Sequence, residues 1–159
     1  MGVSDADGIR IVARNRKARH EYEILEQVEA GIVLEGAEVK SLRDGRASFT
    51  DTFARVEDGE VWLHGLHISP YENASVDAPD PVRTRKLLLG RREIERLRGR
   101  TQEGGLTLIP LDIHFRHGYA KLALALARGK KRHDRREDLK KQAMKREVER
   151  AVQDAKRGR

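Results

Sequence analysis

The chain has 159 residues, no cysteine and a formal net charge of +7. Disulfides and thiolate metal sites are therefore excluded, and no apolar run approaches the roughly 20 residues that span a bilayer. We expect one domain with an extension, in a cytoplasmic protein that uses no cofactor and no metal.

The positive charge is concentrated at the C-terminal end. From Arg128 onward there are 14 Lys and Arg against 6 Asp and Glu, a net charge of +8, whereas the first 127 residues carry 19 against 20. This segment has too few large apolar residues to build a core. A positive arm on a nearly neutral body predicts a polyanionic partner, nucleic acid rather than membrane; a merely solubilising tail is the alternative.

The N-terminal part begins with an expected flexible leader, residues 1–8, and a short strand over residues 9–13. The strand leads into residues 14–20, a basic cluster without an acid. From Glu21 to Leu34 two alternating runs are separated by Glu29-Ala30-Gly31, where glycine can supply positive φ, so this segment is predicted to be a β-hairpin.

The middle of the chain carries helix and turn signals. The period after Gly36 predicts a short helix that ends at Gly45, and Asp58-Gly59 between alternating runs predicts a second hairpin. A long irregular connection, Ser69 to Pro81, follows. Eight basic residues between Arg83 and Arg100 then predict a third basic patch, partly on a helix whose apolar face is formed by Leu87, Ile94 and Leu97.

Strand patterns return after Gly105, and the last of them places Leu122, Leu124 and Leu126 on one face. Short strands with regular turn signals and two or three short helices predict a mainly β fold. We expect a small closed β-barrel of oligonucleotide-binding-like (OB-like) architecture over residues 9–128. Residues 129–159 are expected to be a basic tail that changes from disordered to helical on a polyanionic surface, because its apolar stripe is narrow.

Chemistry-bearing residues are sparse. The pairs His64/His67 and His114/His117 lie in strand patterns, where residues three apart point to opposite faces, so no metal site is expected. We also expect no enzymatic activity. A Mg²⁺-dependent nuclease is a minor alternative, because four carboxylates lie close together in the sequence: Glu35, Glu38, Asp44 and Asp51.

Four long motifs stand out: Asn15-Arg16-Lys17-Ala18-Arg19-His20-Glu21-Tyr22, Gly36-Ala37-Glu38-Val39-Lys40-Ser41-Leu42-Arg43, Arg83-Thr84-Arg85-Lys86-Leu87-Leu88-Leu89 and Ala127-Arg128-Gly129-Lys130-Lys131. In this order and spacing they resemble the SsrA-binding protein (SmpB) family, partners of tmRNA in bacterial trans-translation. The resemblance implies a non-catalytic protein that binds the tRNA-like domain of tmRNA. Such a protein is delivered with tmRNA by elongation factor Tu and GTP to stalled ribosomes. A general RNA- or DNA-binding barrel of the translation or nucleoid machinery is the alternative.

The resemblance also implies site residues. The tmRNA surface would contain Asn15, Arg16, Lys17, Arg19, Glu29, Lys86, Leu88 and Lys121. The tail residues that would enter the small-subunit decoding centre and the empty mRNA path are Gly129, Lys130, Lys131, His133, Asp134, Arg135 and Arg136. Leu88 could pack on a splayed base or on its own core. Since phosphate repels Glu29, we expect that carboxylate to accept from base or ribose donors, or to orient a neighbouring arginine.

Overall fold

The computed structural model describes residues 8–71, 78–130, 140 and 142–153. Its strands are β1 (Ile9–Arg14), β2 (Tyr22–Ile32), β3 (Ala47–Ser48), β4 (Phe53–Glu57), β5 (Glu60–His64), β6 (His67–Ile68), β7 (Arg85–Leu88), β8 (Leu106–Arg116) and β9 (Tyr119–Gly129). Its helices are α1 (Ala18–Glu21), α2 (Gly36–Arg43) and α3 (Arg91–Gln102), and residues 142–153 are also helical. Across these ranges, no helix has both the length and the apolar character to cross a membrane.

Six strands close into a ring through antiparallel pairing. Their order is β8-β4-β5-β7-β2-β9, and β9 pairs again with β8. Strand β1 adds to β8 outside the ring, and β3 and β6 form a separate two-stranded sheet. The predicted mainly β fold with a closed set of strands and few short helices is confirmed.

The alternation of β9 separates two apolar clusters. Leu122, Leu124 and Leu126 are buried in the main core inside the ring. The alanines that alternate with them face outward, where Ala125 and Ala127 pack with Ala18 of α1. The small outward side chains let α1 lie close to the sheet.

The predicted hairpin between Glu21 and Leu34 is wrong, because β2 runs through it as one strand of 11 residues. Its pairing with β9 shifts register between Ile24 and Glu26. Such a bulge exchanges the two faces, so Ile24 packs in the outer cluster whereas Val28 packs against the main core. The predicted turn residues, Glu29-Ala30-Gly31, pair in regular register with β9, so the strand continues through them.

The two later predictions differ in outcome. The hairpin of β4 and β5 is confirmed: its loop is Asp58-Gly59, with φ of 52° and 76°, as a type I′ turn requires. The helix after Arg83 begins only at Arg91, and Leu87 lies in β7 instead of on a helix face. Alternating burial along β7 explains Leu87, since it faces the core while its neighbours do not.

A buried ion pair connects α2 to the ring. Glu38 is 3% exposed, and its Oε2 accepts from Nε of the fully buried Arg85 at 2.8 Å and from Nε of Arg83 at 3.1 Å. Arg85 also donates to the carbonyl oxygens of Leu66 at 2.6 Å and Pro81 at 3.1 Å. One side chain therefore ties together a helix, a strand and two connections.

The protonation of Glu38 follows from this environment. Burial raises its pKa, but hydrogen bonds from Arg83, from the Glu35 backbone N–H and from Arg85 outweigh burial and hold the pKa below the ordinary 4.5. A lowered folded-state pKa means that this contribution to stability is complete above about pH 4.5 and is lost as the pH falls further.

Replacing Glu38 by Gln should lower the free energy of unfolding by about 3–5 kcal/mol at pH 7, because Arg85 would remain buried without a counter-charge. Denaturant titration measures the loss, and the gap to the unchanged protein should narrow between pH 4.5 and pH 3. The control Glu95→Gln breaks the exposed pair with Arg98 and should cost less than about 1 kcal/mol. Equal losses for both variants would contradict the assignment.

Candidate nucleic-acid interface

One row of residues crosses five strands on the outside of the ring. Pairing runs residue to residue from β1 to β7 through Ile11, His114, Lys121, Gly31 and Leu88. Directly opposed residues on neighbouring strands share a face. Two predicted RNA-binding residues, Lys121 and Leu88, therefore flank one glycine on the same surface.

The row changes character along its length. Leu88 is 51% exposed, so it does not lie in the core. A Cβ at Gly31 would meet Cβ of Leu88 at 3.2 Å, which makes glycine the residue that leaves this place flat. Within the described part of the chain, the side chain of Lys121 has no hydrogen-bond or ion-pair partner. An apolar side chain, bare backbone and a free cation in succession suit an unstacked base next to a phosphate.

Glu29 lies on the same face, two residues before Gly31. Its Oε2 accepts from Arg116 Nε at 2.9 Å and lies 2.8 Å from His114 Nε2, while His114 Nδ1 lies 2.6 Å from Asp112 Oδ1. Burial raises the pKa of Glu29, but the hydrogen bonds and charges of His114 and Arg116 outweigh burial and lower that pKa. Glu29 is thus a carboxylate at neutral pH that holds an arginine.

Asn15 attaches the basic cluster after β1 to the sheet. Its backbone N–H donates to the Leu111 carbonyl at 2.8 Å, and its Nδ2 donates to the Pro110 carbonyl at 2.9 Å. Pro110 lies at a register shift of β8, where a strand tolerates proline. This structural role of Asn15 has no signal in the sequence, because the bulge that supplies its acceptors is 95 residues away.

The cations of this cluster are exposed and have no partner in the part of the chain that the structure describes. Ala18 anchors α1 in the outer apolar cluster, and the surrounding basic side chains make no hydrogen bond or ion pair with other described residues: Arg14, Arg16, Lys17 and Arg19. A groove bordered by Asn15 and Arg16 continues along Gln27 and Asp112 toward Glu29. The cluster and the outer sheet face therefore form one continuous surface.

The third basic patch, in contrast, is largely neutralised. Among its basic residues, six have carboxylate partners: Arg83 and Arg85 with Glu38, Lys86 with Glu60, Arg96 and Arg100 with Glu26, and Arg98 with Glu95. Sequence proximity therefore overstated this patch. The predicted RNA-binding residue Lys86 lies on the outer face, and its Nζ is 2.8 Å from Glu60 Oε1.

The structure does not support the alternative of a Mg²⁺-dependent nuclease at Glu38, because two arginines already occupy the carboxylate of this residue. No three His, Asp or Glu side chains in the ranges that the structure describes could hold a metal ion together.

Only the start of the predicted tail site is described. Gly129 pairs with Tyr22 at the end of β9, and the Lys130 N–H donates to the Glu21 carbonyl at 2.9 Å. The other predicted tail residues lie outside the described residues: Lys131, His133, Asp134, Arg135 and Arg136. Further along, the helical residues 142–153 expose Met144 and Val148.

A closed ring of strands that carries free cations beside a flat, partly apolar row has the features of a nucleic-acid-binding protein. The family model described as SmpB protein matches residues 12–154, so the chain belongs to the SmpB family. The SsrA-binding protein of Pelotomaculum thermopropionicum is 54% identical over 94% of this chain and 97% of its own length. The SsrA-binding protein of Syntrophobacter fumaroxidans is 58% identical over 84% of this chain and 83% of its own length.

A solved structure agrees with this family membership. A chain in the structure described as "tmRNA-SmpB: a journey to the center of the bacterial ribosome" is 58% identical, with a TM-score of 0.65. The match covers 75% of this chain and 84% of that one. The resemblance seen in the four sequence motifs is confirmed.

Replacing Lys121 by Ala should weaken binding of a tRNA-like RNA without loss of folding stability, because the side chain of this lysine has no partner among the described residues. The plot of log affinity against log salt should become shallower by about 0.7–0.9, the value for one phosphate contact. Filter binding at several salt concentrations measures both. Lys86→Ala is the matched variant on the same face and should cost less, since Glu60 already neutralises Lys86. An unchanged slope for Lys121→Ala would contradict the role.

Proposed function

We propose that this chain is a non-catalytic RNA-binding adaptor that holds the tRNA-like domain of tmRNA and brings it to stalled ribosomes for trans-translation. The observation that carries the proposal is the outer row of Leu88, Gly31 and Lys121 beside the free cations of residues 14–19, on a chain of the SmpB family. The related solved structure, described as tmRNA-SmpB in the bacterial ribosome, supports tmRNA and the ribosome as partners.

The chemistry of this surface favours folded RNA over a regular duplex. Arg16, Lys17 and Arg19 are free to contact phosphates, while Asn15 holds their segment against β8. Leu88 offers apolar area to a base that has left its stack, which a continuous DNA duplex does not provide. The cations therefore supply affinity for phosphates, and the row of Leu88, Gly31 and Lys121 supplies the preference for folded RNA over duplex DNA.

The tail would act elsewhere in the same process. Residues 9–128 would hold tmRNA, whereas residues 129–159 would enter the decoding centre and the empty mRNA path, with Gly129 to Arg136 at the entry. The supporting observations are the strong positive charge and the exposed apolar stripe of residues 142–153. Elongation factor Tu with GTP would deliver the complex in the cytoplasm through its contact with tmRNA.

Competition binding distinguishes the adaptor from a general nucleic-acid-binding barrel. A folded tRNA-like RNA should displace labelled RNA much better than duplex DNA of equal length at the same salt concentration. For about six phosphate contacts, affinity should fall roughly 300-fold between 50 and 200 mM salt. Equal competition by RNA and DNA would favour the general barrel.

Ending the chain after Arg128 removes 13 Lys and Arg and 6 Asp and Glu, a net charge of +7, but leaves the outer row intact. Binding to tmRNA should largely survive, while peptide tagging on stalled ribosomes should be lost. Gel shift and an in vitro tagging assay measure the two activities. A parallel loss of both would show that the tail is the main RNA anchor.

A further inference from the structure

Arg116 is held in place by one hydrogen bond and still has donor groups with which it can bind RNA. It lies on the outer face of β8, two residues beyond His114, and donates through Nε to Glu29 Oε2 at 2.9 Å. Within the described part of the molecule, its two Nη groups have no hydrogen-bond partner. An arginine held by Nε presents those two groups together, in the fork that binds phosphate well.

We propose that Arg116 contacts an RNA phosphate and that Glu29 is a positioning residue, which supports RNA binding by holding Arg116 instead of touching RNA. The inference rests on the proposed function as an RNA-binding protein. It explains why a carboxylate belongs on a surface meant for a polyanion, where a free carboxylate would repel phosphate.

The supporting contacts form a chain across the sheet. Asp112 lies against His114, His114 against Glu29, and Glu29 accepts from Arg116. His114 and Arg116 belong to β8, whereas Glu29 belongs to β2, so these side chains meet over β9. The residue of β9 that pairs with both Glu29 and Asp112 is Ala123.

The small side chain of Ala123 leaves room for these contacts, and it lines the same groove as Glu29, His114 and Arg116. Second-neighbour strands are separated by roughly 9–10 Å, and only long side chains over a small residue can bridge that distance. A larger residue at position 123 would stand between Glu29 and the β8 side chains. We therefore expect a larger side chain at position 123 to weaken the hold of Glu29 on Arg116.

Other groups around Arg116 fit the same ligand. Tyr119, the cross-strand partner of Arg116, is 72% exposed and offers a ring for stacking. Lys121 lies two residues further along β9 and is therefore a diagonal neighbour of Arg116. One RNA strand can reach both cations and the ring.

A double-mutant cycle with a tRNA-like RNA tests the proposal. Arg116→Ala should weaken binding roughly tenfold or more and make the salt dependence shallower by about 0.7–0.9. Glu29→Ala should have a similar effect, and the double variant should bind within about twofold of Arg116→Ala. Losses that multiply in the double variant would show that Glu29 contacts RNA itself. Tighter binding by Glu29→Ala would show simple repulsion and would also overturn the proposal.

Two further variants separate positioning from folding. Glu29→Gln keeps a neutral acceptor for Arg116 Nε and should retain binding within about threefold and the full salt slope. Ala123→Val keeps every charge but obstructs the bridge, and it should weaken binding when Arg116 is present and have little effect with Arg116→Ala. An unchanged affinity for Ala123→Val in a folded protein would contradict the bridging argument.

The matched control is Arg55→Ala. Arg55 lies on β4, opposite β2 in the ring, and its Nη1 is 3.7 Å from Glu57 Oε1, so it is also an arginine beside a glutamate. Its loss should leave RNA affinity and slope nearly unchanged. If the unchanged protein showed no preference for tRNA-like RNA over duplex DNA, the proposed function would fail. If the protein preferred tRNA-like RNA but the affinity losses of Arg116→Ala and Glu29→Ala multiplied in the double variant, only the positioning role of Glu29 would be overturned.

Discussion

The buried pair of Glu38 and Arg85 is the interaction on which the arrangement of the outer surface depends. Arg85 points into the molecule because Glu38 and two carbonyl oxygens accept its donors there. Alternation along β7 then obliges Leu88, three residues later, to point outward, where it meets Gly31. Breaking the pair would destabilise the contact between α2 and β7, since an unpaired buried guanidinium is far less stable than the hydrated one.

Pairing with carboxylates also decides which cations are available to a partner. The helix α3 and strand β7 carry many basic residues, yet neighbouring carboxylates neutralise most of them. The basic cluster before α1 and Lys121 have no such neighbours in the described structure. A partner with phosphates therefore encounters a localised surface, although the whole chain is basic. Arg116 is intermediate, because Glu29 holds its Nε while its two Nη groups have no partner among the described residues.

Register shifts in β1, β2 and β8 are the features that the sequence pattern concealed. Each one exchanges the two faces of its strand, so an alternation that is regular in the structure is broken in the sequence. The shift in β2 lies at residues 24–26 and puts Ile24 and Val28 on opposite faces. The shift in β8 supplies the carbonyl oxygens that hold Asn15, a contact between residues far apart in the chain. Local patterns do not contain this information, because a bulge is defined by the partner strand.

Local chemistry in the sequence by itself determined the mainly β fold, the Asp58-Gly59 turn, the helix stop at Gly45, the leucine face of β9 and the family motifs. Each depends on backbone preference or on the side-chain period of two, which neighbouring residues already express. Only the tertiary structure decided which arginines are buried or paired, that Leu88 is exposed, and that Glu29 holds Arg116. These outcomes depend on which strands become neighbours, and closing the ring brings together residues as distant as Glu29 and Arg116.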